Sequence, residues 1–143
     1  GDGEMCAVKL KDDLSGPDGE ARVLFRASQA KWAREVRHSS GKVGYVTDGP
    51  FFFRTEGGTL LLLWASFSDG GYTQGLAVSD NGDITGNFTQ LAPLFEKDGG
   101  HGMVFRDKEG KLFLTLHSPN EHLKERPVLF PLTEEKGTLR RRM

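Results

Sequence analysis

Thr47-Asp48-Gly49-Pro50-Phe51-Phe52-Phe53-Arg54 decides the fold, because a carboxylate and a turn dipeptide lead directly into a very apolar strand. The same plan recurs after a shift of 52 residues, as Gly100-His101-Gly102-Met103-Val104-Phe105-Arg106. One copy has Asp48 where the other has Gly100, and the second has His101 where the first has Gly49. The repeat therefore predicts two equivalent units that each carry one polar group of their own.

The composition is that of one globular domain of 143 residues. Nineteen glycines between strands of Leu, Phe and Val favour an all-β protein with many tight turns. A formal net charge of −1 with interspersed signs gives no field that would attract nucleic acid or an anionic membrane. The single cysteine, Cys6, cannot form an internal disulfide.

The chain begins with Gly1 rather than Met, and a strand follows almost at once. It shows no signal peptide and no apolar run long enough to cross a bilayer. We therefore expect a fragment of a longer polypeptide.

A second repeat extends the pattern to the start of the chain. A shift of 70 residues lays Phe25 on Phe95, so residues 1–26 correspond to the second half of a unit. Units of about 50 residues with four short strands are typical of β-propeller blades. We predict an all-β propeller segment of about two and a half four-stranded blades, divided into a part-blade 1–26, a connecting loop 27–46, a blade 47–97 and a blade 98–143. The strands of the middle blade are predicted near 51–54, 60–65, 75–79 and 90–94.

In a propeller the first strand of every blade lines the central channel, so Asp48 and His101 are expected on one rim, facing the axis. A carboxylate and an imidazole that face a channel form a candidate site. The alternative for Asp48 is a turn-forming Asp-Gly-Pro. The alternative for His101 is a ring whose nitrogens bond backbone carbonyls.

These residues resemble the C-terminal part of glycoside hydrolase family 43, which comprises five-bladed propeller arabinofuranosidases, xylosidases and endo-arabinanases. The likeness is carried by Asp48-Gly49-Pro50, Gly100-His101-Gly102, Gly70-Gly71-Tyr72, Ser79-Asp80 and Arg126-Pro127. It implies that Asp48 stands at the general acid, usually a glutamate, and that His101 helps to hold a hydrated metal ion, commonly calcium. It also implies that Arg126 contacts the sugar in a terminal subsite.

The implied reaction is inverting hydrolysis of arabinose- or xylose-containing oligosaccharide or polysaccharide. Such a reaction needs an acid and a base with carboxyl groups about 6.5 to 9.5 Å apart. In the family the base and a further aspartate, which raises the pKa of the acid, precede the acid in the chain, and here both would lie before Gly1. The chain is therefore expected to supply only the acid-bearing blade and the axial histidine, and to be inactive alone.

Two aromatic residues are candidate sugar contacts. Tyr72 follows two glycines in a loop toward the third strand, and Trp64 ends the second strand of the middle blade. For both, local packing is the alternative. The expected partners are a plant-type saccharide and either the missing N-terminal blades or another copy of the chain, with no nucleic acid and no membrane. The family favours a periplasmic or secreted location. The alternative function is a non-catalytic carbohydrate-binding or structural propeller fragment.

Overall fold

The structure, a computed structural model, describes residues 1–142. It is 51% strand and 2% helical, and its helical residues form one 3-10 turn at Ala27–Gln29. The strands are β1 Glu4–Ala7, β2 Arg22–Arg26, β3 Val36–Arg37, β4 Val43–Gly44, β5 Asp48–Arg54, β6 Leu60–Ser68, β7 Gly71–Ser79, β8 Phe88–Gln90, β9 Gly100–Arg106, β10 Leu112–Ser118, β11 Arg126–Glu135 and β12 Thr138–Arg141.

Two four-stranded antiparallel sheets form the body of the chain. The middle blade has the order β5-β6-β7-β8, and the last blade has the order β9-β10-β11-β12. The part-blade is the pair β1-β2, and the connecting segment contributes the small pair β3-β4. The predicted all-β propeller segment is thus confirmed.

The sequence repeat is also a repeat of strand register. Phe53 pairs with Leu61 in the middle blade, and Phe105 pairs with Phe113 in the last blade. The first strand of each blade also contains a register shift near its start. On the N-terminal side of the shift, Asp48 pairs with Ala65 and Gly100 pairs with His117. Since a one-residue slip would turn every side chain to the other face of the sheet, this agreement brings equivalent residues to equivalent places.

The core consists of two apolar clusters, one on each side of the middle blade. Leu61 and Leu63 pack with residues of the last blade, whereas Leu62 and Trp64 pack with the part-blade and the connecting segment. Successive side chains of a strand point to opposite faces, so a strand covered on both faces is apolar throughout. This explains the continuous apolar run of β6, which is buried from Leu60 to Ala65.

The fourth strand of the middle blade differs from the prediction of residues 90–94. Strand β8 is Phe88–Gln90, and Leu91 N still donates to the Leu76 carbonyl of β7 at 2.8 Å. The next bond to β7 comes after a gap, where Leu94 N donates to the Gln74 carbonyl at 2.8 Å. Pro93 lies in the interruption. Because proline has no N–H to donate, it cannot extend a ladder of hydrogen bonds.

The outer face of the last blade remains uncovered in this chain. Met103, Phe105 and Leu129 are exposed there to 52%, 40% and 58%. The residues equivalent to the first two, Phe51 and Phe53, instead pack into the cluster shared with the last blade. No helix in residues 1–142 has the length and apolar character that crossing a membrane requires.

Candidate functional site

The site is built on the register shift at the start of β5 and β9. Gly49 and His101 occupy equivalent positions and share a left-handed backbone, with φ of 54° and 56°. A Cβ on Gly49 would lie 2.9 Å from Cγ of His101, so the imidazole occupies the space that a side chain at residue 49 would need. Residue 49 is therefore glycine for two reasons, backbone conformation and contact.

Asp48 receives donors on both carboxylate oxygens. The Tyr72 hydroxyl donates to Oδ2 at 2.8 Å, and the Gly49 amide donates to Oδ1 at 2.8 Å. Nδ1 of His101 lies 3.4 Å from Oδ2. Burial acts to raise the pKa of Asp48, but these donors and the nearby His101 outweigh it, so the pKa is lowered. The arrangement therefore stabilises an ionised carboxylate, and the structure brings Asp48 and His101 together.

Tyr72 lies behind this carboxylate rather than on the surface. It belongs to β7, its side chain is buried, and only 3% of the residue is exposed. Burial and the bond to Asp48 raise the pKa of its hydroxyl, so the phenol stays protonated as a donor. The prediction of a sugar contact at Tyr72 is corrected on this ground, because the ring has no free face to offer.

Three residues support Tyr72 from the last blade and the loop that precedes it. The His117 ring stacks on Tyr72 with centroids 5.4 Å apart and an interplanar angle of 19°, and His117 Nε2 lies 2.9 Å from Oδ1 of Asn120. The Asp98 carboxylate accepts from the backbone amides of Tyr72 and Asn120, at 3.2 and 3.0 Å. Sequence reasoning missed Asp98, although an acidic residue before Gly99-Gly100 is a recognisable turn signal.

Trp64 does not contribute to the site. Its exposure is 0%, its indole N–H donates to Gln90 Oε1 at 3.0 Å, and its ring packs on Phe25 and Trp32 with centroids 5.0 Å apart in both pairs. The prediction of substrate contact at Trp64 is therefore wrong, because β6 turns this side chain toward the part-blade.

Arg126 lies at the same rim as His101. It starts β11, pairs with Ser118, and lines an open cleft of about 360 Å³ with His101 and His117. A second cleft, of about 240 Å³, adjoins it between Asp48 and His101. Arg126 itself donates to the carbonyls of Leu123 and Glu125, at 3.4 and 2.7 Å.

A groove larger than these two clefts lies elsewhere. It measures about 780 Å³, runs between the outer strands of the two blades, and includes neither Asp48 nor His101. Its lining is mostly apolar and contains no carboxylate, so size alone does not locate the site.

The calcium expected at His101 would need oxygen ligands in addition to the imidazole. Within residues 1–142, no group of three or more His, Cys, Asp or Glu side chains could hold a metal ion. Calcium takes six to eight oxygen ligands, whereas His101 offers a ring nitrogen. The described residues supply no full set of oxygen ligands, so a calcium held through His101 and water stays a prediction, and no chemical step below uses it.

Comparison with known proteins gives two informative likenesses. The solved endo-arabinase of Bacteroides thetaiotaomicron VPI-5482 is 42% identical over 94% of this chain, with a TM-score of 0.87. The chain covers 48% of that enzyme, so it spans about half its length. A bifunctional GH43-CE protein of Bacteroides eggerthii is 24% identical over 99% of this chain and 17% of its own, with a TM-score of 0.77, and supports the fold alone.

No family model and no curated protein matches the chain. The strand order, the repeated register and the two structural likenesses define a segment with the fold of propeller glycoside hydrolases. These likenesses support membership of glycoside hydrolase family 43 for a partial chain. The resemblance read from Asp48-Gly49-Pro50 and Gly100-His101-Gly102 is thereby confirmed.

Proposed function

We propose that the chain is the acid-bearing part of a glycoside hydrolase that cleaves arabinose-containing oligosaccharide or polysaccharide. The observation that carries this proposal is the pairing of Asp48 with His101 across adjoining blades, in a chain 42% identical to an endo-arabinase. The two side chains lie on open clefts, where a sugar can reach them.

In the proposed reaction Asp48 protonates the leaving oxygen, and a base from outside the described residues activates water on the opposite face of the sugar. This is a single displacement with inversion. Since the donors around Asp48 favour its charged form, the acid role requires a second carboxylate near it, which would raise its pKa. We infer that blades completing the ring supply that carboxylate, and that the chain alone does not hydrolyse the substrate.

Asp48 also departs from the glutamate that is usual at this position in the family. An aspartate carboxyl is held back by one C–C bond, about 1.5 Å. In this reading the substrate sits correspondingly closer to β5, in the cleft between Asp48 and His101. Arg126 would bind sugar hydroxyls at the far side of His101, since both residues line the adjoining cleft.

The test is hydrolysis of arabino-oligosaccharides and of nitrophenyl arabinofuranoside and xyloside by a polypeptide in which further blades complete the ring. Asp48→Asn should lower kcat by at least about 100-fold, because an amide cannot donate the acid's proton. The matched control is Asp12→Asn, in an exposed loop of the part-blade. Unchanged turnover by Asp48→Asn would remove Asp48 from the mechanism, and retention of the anomeric configuration in the product would contradict inversion.

A non-catalytic carbohydrate-binding fragment is the second candidate. It is favoured by the lowered pKa of Asp48, which suits a permanent acceptor for sugar hydroxyls better than an acid. Calorimetric titration of the 143-residue chain with arabino- and xylo-oligosaccharides tests it. Binding together with no hydrolysis by the completed ring would favour this candidate.

A further inference from the structure

We propose that Tyr72 is a positioning residue for Asp48, and that the last blade holds Tyr72 in place, so that the carboxylate is aimed by the packing of two blades together. This inference rests on the proposed function, because it gives Tyr72 a role in the reaction of Asp48. Tyr72 would act through the carboxylate and not by touching the sugar.

The path of the Tyr72 side chain is set by small residues. Tyr72 lies on β7 and reaches Asp48 on β5 by crossing β6, where Ala65 pairs with Asp48. Gly100 of the last blade leaves room for the ring, since a Cβ there would lie 2.7 Å from Cε1 of Tyr72. A larger side chain at residue 100 would therefore displace the ring.

The last blade and the loop before it also supply the contacts that fix the ring and its backbone. His117, which stacks on Tyr72, occupies the position in its blade that Ala65 occupies in the middle blade. Gly99 N donates to the Tyr72 carbonyl at 2.7 Å, and the Tyr72 amide donates to Asp98 at 3.2 Å. The last blade and the loop before it thus hold both the backbone and the ring face of Tyr72.

A bonded carboxylate has one orientation, whereas a free aspartate side chain samples several rotamers. Tyr72 and His101 both approach Oδ2, at 2.8 and 3.4 Å, and Gly49 N fixes Oδ1. Without the hydroxyl, Asp48 would rotate away from its working position. Misplacement of a catalytic group by about 1 Å can cost about 100-fold in rate.

The test compares Tyr72→Phe, Asp48→Asn and the double variant in the ring-completed polypeptide, with arabino-oligosaccharide as substrate. Tyr72→Phe keeps the ring and its stacking but removes the hydroxyl. We expect kcat to fall about tenfold with KM within about twofold, and no further fall when Tyr72→Phe is added to Asp48→Asn. The control is Tyr45→Phe, the other tyrosine of the chain, which packs in the cluster beside the part-blade and should keep wild-type kcat.

Two outcomes overturn the inference. One is an unchanged kcat in Tyr72→Phe while Asp48→Asn loses at least about 100-fold. The other is the same fold loss from Tyr72→Phe with Asp48 present or replaced, which indicates a general structural role. Failure of the proposed function is distinguishable, because Asp48→Asn would then retain its turnover.

Discussion

Gly49 and His101 show how one backbone conformation serves two purposes at the site. Both are left-handed, but one contributes space and the other contributes the ring that fills it. Asp48 lies beside this pair, so the position of the imidazole and the geometry of the carboxylate depend on a missing side chain.

A single methyl group tests that dependence. Gly49→Ala should destabilise the chain by about 3 kcal/mol, since it combines left-handed strain with displacement of His101. Gly110→Ala is the matched control, because Gly110 is also left-handed, at φ 80°, but nothing lies within 4 Å of a Cβ there. It should cost about 1 kcal/mol.

The measurement is chemical unfolding of both variants beside the wild type. Equal losses for the two glycines would contradict the contact with His101, because strain alone would then account for both.

The strands of the two blades are joined by a buried glutamine. Gln74 of β7 accepts from Gly102 N of β9 at 2.6 Å, and its amide donates to the Trp64 carbonyl of β6 at 3.0 Å. Gln74 is fully buried, so both bonds form away from water. This side chain therefore links the middle blade to the first strand of the last blade.

Gln74→Met should destabilise the chain by about 2–4 kcal/mol. Methionine matches the side-chain length but leaves the Gly102 amide and the Trp64 carbonyl without this partner, and an orphaned buried group costs about 1–3 kcal/mol. Gln29→Met is the control, since exposed Gln29 also accepts a backbone amide, that of Arg26. It should cost less than about 1 kcal/mol. Thermal unfolding measures both variants. A similar loss of stability in both would contradict a link between the blades through Gln74.

Sequence predicted the strands well where the repeat and the apolar pattern coincided. The shift of 52 residues matched Phe53 with Phe105, and the two residues hold equivalent positions in β5 and β9, because turn and strand lengths are the same in both copies. The strand predicted at 90–94 failed because Pro93 interrupts the ladder.

Of the residues at the site, Asp48 and His101 were predictable from the sequence. Asp48 and His101 stood out as departures from an otherwise matching repeat. Tyr72 and Trp64 were assigned to the sugar because aromatic residues near a turn can stack on one, but only packing decides whether a ring faces solvent or a neighbouring sheet. Asp98 precedes a recognisable turn, but its bonds to the backbone amides of Tyr72 and Asn120 join residues distant in sequence, which a turn signal does not predict.

The whole molecule has an apolar sheet face that matches a covered face elsewhere in the same chain. Met103 and Phe105 stand where Phe51 and Phe53 stand in the middle blade, yet they are exposed. Since the middle blade covers this face with another blade, the last blade is suited to the same kind of partner.

In the absence of completing blades, we expect the 143-residue chain to self-associate through this face. Leu129→Glu, which places a charge on the face, should shift the chain toward monomer in size-exclusion chromatography with light scattering. Leu123→Glu is the control, because Leu123 is 77% exposed outside the strands. A wild-type chain that elutes as a monomer with cooperative melting would contradict this expectation.

The interlocking of Gly49 with His101 also constrains how relatives of this chain can vary. A bulky residue at 49 is compatible only with a smaller one at 101. A single replacement at either position is therefore expected to give a less stable protein. Among homologous proteins, the occupants of these two positions should accordingly change as a pair, and their joint substitution would leave a statistical trace that neither column shows alone.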